Sequence, residues 1–231
     1  VGNPYQYPIN IQDFLISNQS QLDNGTLYFW RKRNGTSGTT YATVTLAAYV
    51  AATAEGGDTS AGQFEDGEED QWVINPGQGF FIKASGTATS LGFNNTMRRA
   101  VNNNQFFRTG ANVEFTAQNN TEMSKLWLNI TNEANEYGQA AITYSDITTL
   151  GLDYGYDGRL YNDGSVSIYS IAEGTRLAIQ ARNAFSTADE VPVGYKVTVA
   201  GNYTVSLDKF TGLFTGDQDI YLRDNATGTV H

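Results

Sequence analysis

Short runs of alternating apolar and polar residues, each closed by a cluster of Gly, Asn, Asp or Thr, recur along almost the whole chain. Alternation with a period of two sends successive side chains to opposite faces of a strand, so each run reads as a strand with one face on a core. In residues 125–131, Leu126, Leu128 and Ile130 share one face, while Trp127 and Asn129 take the other. The same alternation aligns Tyr203, Val205 and Leu207 in 202–208, Leu177 and Ile179 in 175–180, and Ile220 and Leu222 in 219–224. Further strands are predicted at 26–30, 41–46, 79–84, 141–144, 166–171 and 195–200. Asn-Gly at 24–25 and 34–35, Asp-Gly at 157–158 and 163–164, and Ala-Gly-Asn at 200–202 supply turn residues that tolerate positive φ. Helical periodicity is confined to 10–17, where Ile11, Phe14 and Leu15 share a face, and to a second short candidate at 186–190.

Many short strands at regular spacing predict an all-β protein, built as two antiparallel β-sandwich or jelly-roll-like modules in tandem. The rhythm falters over 100–122, an Asn-rich stretch holding Phe106 and Phe107, and this places an N-terminal module at 1–110 and a C-terminal sandwich module at 111–231. A second interruption, the acidic 54–71, reads as an exposed loop. The 231 residues suffice for both modules, and 40% hydrophobic and 13% aromatic content gives each a core to build on.

Composition then narrows the chemistry. With 14 basic against 24 acidic side chains the net charge is −10, which excludes a nucleic-acid partner and an anionic membrane surface as general partners. No apolar run has the roughly 18–20 residues of a membrane span. Cysteine is absent and the one histidine is His231, so disulfides, thiolate metal sites, thiol catalysis, Ser-His-Asp triads and HExxH zinc sites all lack raw material. Acids are the remaining catalytic resource, yet nothing singles out a glycosidase-like pair among Glu122, Glu133, Glu136, Asp146, Asp153 and Asp157, and the expectation is a protein that is not an enzyme.

Two binding chemistries stay open. Calcium is the candidate cofactor, because Asp and loop carbonyls suit a hard cation, and its candidate ligands are Asp153, Asp157, Asp217 and Asp219; the competing reading is that these residues only cap their own turns. Exposed aromatic rings can stack on sugars, and Trp30, Trp72, Tyr154, Tyr156 and Tyr161 are the candidate glycan platform, against a competing reading as core residues. Gly77-Gln78-Gly79 is no phosphate loop, since Pro76 precedes it and strand residues follow. Asn-x-Ser/Thr at Asn18, Asn24, Asn34, Asn94, Asn119, Asn129, Asn202 and Asn225 reflects a chain rich in Asn and Thr.

Ordered blocks carry a family resemblance: Gly2-Asn3-Pro4-Tyr5, Gly25-Thr26-Leu27-Tyr28-Phe29-Trp30, Pro76-Gly77-Gln78-Gly79-Phe80-Phe81-Ile82-Lys83-Ala84, Asn104-Gln105-Phe106-Phe107-Arg108, Val191-Pro192-Val193-Gly194-Tyr195-Lys196 and Ile220-Tyr221-Leu222-Arg223-Asp224-Asn225. Together they resemble the β-rich region before the sorting domain of large Bacteroidota proteins exported by the type IX secretion system. The resemblance implies a noncatalytic extracellular or cell-surface module, a stalk, adhesin or assembly unit, with the secretion machinery as partner through a C-terminal sorting domain that this sequence lacks. It also implies that the N-terminal module lacks its first strands and the C-terminal module its last, so that self-association by β-strand addition, and with it filaments, is an expectation. The alternative is a carbohydrate-binding module that uses the exposed aromatics with calcium assistance.

Overall fold

The computed structural model describes residues 1–30, 41–50, 72–100, 123–134, 136–161, 164–216 and 218–231. The expected module boundary near 110, the turn at 34–35 and the acidic loop 54–71 lie outside the described residues. The fold is all-β. Strand β1 (Ile9–Asn10) leads directly into helix α1 (Ile11–Ser17). Asn10 caps the helix by accepting the Asp13 backbone N–H at 2.9 Å, and Ile11, Phe14 and Leu15 form its buried stripe, as the periodicity predicts. The second helical candidate, 186–190, forms turns instead.

Around α1 a small sheet orders β2 (Leu27–Trp30), β3 (Tyr41–Val44) and β4 (Tyr49–Val50) antiparallel, and β1 pairs with β5 (Val73–Ile74). The expected strand at 79–84 pairs only through isolated bridges, Tyr28 with Phe81 and Leu22 with Ala84 among them. Leu27 and Phe29 point inward to a core with Phe14, Leu15, Tyr49, Trp72, Ile74, Phe80 and Met97. Phe14 meets Phe80 edge-to-face at 5.3 Å.

The second half holds a seven-stranded sheet built from β6 (Ser124–Asn132), β7 (Tyr137–Tyr144), β8 (Gly158–Arg159), β9 (Val166–Ala172), β10 (Thr175–Arg182), β11 (Val193–Val197) and β12 (Tyr203–Phe210), in the order β11-β9-β10-β7-β6-β12 with β8 on β10. It folds over itself like a sandwich. Val166 and Ile168 of β9 pack on Ile130 and Ala140, and a Cβ at Gly138 would lie 3.0 Å from the Ser167 Cα. A tight turn with positive φ at Glu173 and Gly174 joins β9 to β10.

One detail of the expectation needs correction. The sheet is not wholly antiparallel, because β10 runs parallel to β7 with Ile179 opposite Ala141. The loop after β7 together with β8 and β9 is long enough to return the chain in the same direction, the crossover that parallel pairing requires. The two halves also pack on each other. Trp127, Ala141, Ile179 and Ala181, on the face opposite Leu126 and Ile142, pack against Ala47, Ala48 and Val50 of the N-terminal half, and the Trp127 indole N–H donates to the Tyr49 carbonyl at 2.8 Å.

The halves approach each other closely at Gly25. Its φ is +72°, and a Cβ there would lie 2.8 Å from both the Cα and the N of Gly155. Gly25→Ala combines a left-handed backbone with a backbone clash, and should lower unfolding stability by about 2 kcal/mol or more in urea titrations.

Candidate functional site

The loop between β7 and β9 brings the second half's chemistry into the first. Gly155 donates its N–H to the Asn24 carbonyl at 3.0 Å and accepts from Leu46 at 2.7 Å. Tyr154 donates its hydroxyl to the Leu15 carbonyl at the end of α1, Tyr28 donates to the Arg159 carbonyl, and Thr26 to the Asp157 carbonyl. Gly158 has no room for a side chain, since a Cβ would stand 3.0 Å from Thr45 Cγ2 and 3.2 Å from Ile179 Cβ.

Asp157 is the buried acid of this joint. Its carboxylate accepts the Ala181 N–H of β10 at 2.8 Å and the Asp153 N–H at 2.6 Å. Burial raises its pKa to about 6, and the two backbone donors offset only part of that desolvation. Asp153, in turn, accepts from the N–H and hydroxyl of Thr149. A second polar knot pins the loop after β10: Arg182 forks onto Asp189 through Nε at 2.7 Å and Nη2 at 2.5 Å, and the Tyr144 hydroxyl donates to the same carboxylate. Those two donors hold the Asp189 carboxyl below its ordinary range, the Arg182 hydrogen bonds contributing most.

These contacts show what the candidate calcium ligands bind in the folded chain. The oxygens of Asp153 and Asp157 are already committed to N–H and O–H donors of the fold, Asp219 is exposed and accepts the Tyr221 hydroxyl, and Asp217 lies outside the described residues. Among the described residues no three His, Asp or Glu side chains gather as a metal cluster.

The predicted glycan platform divides. Trp72 is 1% exposed within the core around α1, and Tyr154 and Tyr156 are half-buried against that core. Trp30 and Tyr161 do reach the surface, 54% and 50% exposed. They belong to a patch the sequence did not assemble. On β2, Tyr28 and Trp30 face away from the core side of Leu27 and Phe29, and the register sets Trp30 opposite Tyr41. Tyr161 packs on Tyr28 at 5.2 Å and edge-to-face on Tyr41 at 4.8 Å, while Tyr41 meets Phe81 edge-to-face at 5.4 Å. Phe81 is 52% exposed. Burial raises the Tyr28 hydroxyl to about 12, so the base of the patch stays neutral. One edge is charged: Asp23 binds Lys83 Nζ at 3.0 Å and lies 3.7 Å from Arg159 Nη1. Tyr41 and Phe81 escaped the sequence reading because neighbours across β2 are neighbours only in the folded sheet. The period-two pattern that carries Tyr28 and Trp30 to one face was the signal available.

Fold and site together describe an all-β protein with an internal acid joint and one exposed aromatic face. A family model described as Domain of unknown function (DUF8693) matches residues 1–231, and the chain belongs to that family. No curated protein and no solved structure gives a significant match.

Because folding raises the Asp157 pKa from 3.8 to about 6, the native state binds its proton more tightly than the unfolded chain does. Its contribution is therefore most favourable below pH 4 and declines by about 3 kcal/mol as pH rises to about 6 and beyond. Urea titrations across this range should show Asp157→Asn lacking this component of the pH dependence. An identical pH profile in the variant would refute the assignment.

Proposed function

We propose that the chain is a noncatalytic module of a bacterial surface or secreted protein, working outside the cell as a stalk or adhesin-type unit. The observation that carries this reading is the use made of the enclosed acids: the Asp157 and Asp189 carboxylates are spent on backbone N–H and guanidinium donors that tie the loop before β8 to β10 and pin the loop after β10. Acids engaged in this way stiffen a fold. The type IX resemblance of the sequence blocks supports an extracellular address and export by that machinery.

The strand-addition part of the expectation draws less support. Edge strand β11 follows Pro192 and carries Lys196, while edge strand β12 has a register break between Leu207 and Lys209 and bears Asp208. Proline, charge and bulges are the devices by which sheet edges resist pairing with another chain. A single stalk unit is the reading they favour.

Two measurements test this reading. Protease shaving of intact source cells should release fragments recognised by an antibody raised against the chain; recognition confined to the cytoplasmic fraction would overturn it. Sedimentation velocity should show one monomeric species over about two decades of concentration, whereas a rising series of larger species would restore the filament model.

A further inference from the structure

We infer that the face formed by Trp30, Tyr41, Phe81 and Tyr161 is a binding site for an acidic polysaccharide, one whose sugar rings carry carboxylate or sulfate groups. This goes beyond the stalk reading, which needs no ligand. Leu27 and Phe29 already supply the core side of β2, so the aromatic residues on its other face are not needed to close that core. Trp30, Phe81 and Tyr161 nonetheless each leave about half of their area in water. Exposing large apolar rings together is unfavourable for a monomer and marks an interaction surface.

Tyr28, Tyr41, Phe81 and Tyr161 are held in place. Tyr161 is braced by Tyr28 and Tyr41, Phe81 by Tyr41, and Tyr28 by its hydrogen bond to the Arg159 carbonyl. A braced platform loses little side-chain entropy on binding, which favours a stiff ligand with an apolar flat side, such as the C–H face of a pyranose.

Charge selects the acidic class. Lys83 lies two residues from Phe81 and Arg159 two residues from Tyr161, and both share the single carboxylate of Asp23. This edge therefore carries a surplus positive charge, on a chain whose net charge is −10. Lys83 Nζ keeps donors beyond the one facing Asp23, and its side chain is 60% exposed. An anionic substituent on a ring stacked against the aromatics would meet this edge, while an anion without sugar rings would be repelled by the rest of the surface.

The test is affinity electrophoresis of the whole chain in gels containing polygalacturonate, alginate or chondroitin sulfate, with dextran, mannan and xylan as neutral gels and polyglutamate as a polyanion without sugar rings. The expected result is retardation by at least one acidic polysaccharide, weakened about tenfold in Trp30→Ala and in Phe81→Ala and reduced again in Lys83→Gln, with unchanged unfolding curves. Tyr221→Ala, a change at an exposed ring of the C-terminal segment, should leave retardation intact. Retardation by none of the polysaccharides, equal retardation by polyglutamate or by the neutral gels, or retardation indifferent to both aromatic variants would each overturn the site. None of these outcomes bears on whether the chain lies at the cell surface or is monomeric, so the stalk reading is judged separately.

Discussion

The structure depends on a short segment of the second half seated inside the first. From Asp153 to Arg159 the chain lies against α1, β2 and the β3–β4 corner, and Tyr154, Gly155, Asp157 and Arg159 each make a hydrogen bond across the joint. Tyr156 packs on the cores of both halves. Glycines make this possible: Gly25 and Gly155 meet backbone to backbone, and Gly158 slides past Thr43, Thr45 and Ile179. A side chain at Gly25 would meet the Gly155 backbone, and one at Gly158 would crowd Thr43 and Thr45.

Burying Asp157 at the centre of the joint carries an electrostatic cost, visible in its raised pKa, and that cost is tolerable because two backbone N–H groups there would otherwise lack acceptors. The acid replaces strand pairing where β8 ends, so β10 keeps a partner for the Ala181 N–H beyond its short pairing with β8. Stability and shape are thus linked: the group that raises the energy of the folded state near neutral pH is also the one that ties the inserted segment to β10.

The aromatic face follows from the same geometry. Because the inserted segment runs on to Tyr161, it delivers a ring from the second half onto the outer side of β2, where Tyr28, Tyr41 and Phe81 already converge. The platform is therefore completed by the joint, which adds Tyr161 to the rings of the first half.

Side-chain alternation was enough to identify most strands, because burial of one face imposes a period of two on local sequence, and Asn10 with Ile11, Phe14 and Leu15 was enough for the single helix. Local pattern also carried Leu126, Leu128 and Ile130 to one face. It could not say that Trp127 on the other face would be equally buried, since that depends on Ala47, Ala48 and Tyr49, far away in the chain. Nor could it separate Trp30 and Tyr161, left in water, from Trp72 and Tyr154, drawn into the core, because an aromatic residue has the same local signature in both settings. Asp157-Gly158 shows the limit most plainly. As a dipeptide it reads as a solvent-exposed turn, and only the arrival of Thr26, Ala181 and Ile179 around it, contacts between residues distant in sequence, makes it a buried acid beside a glycine with no room for a side chain.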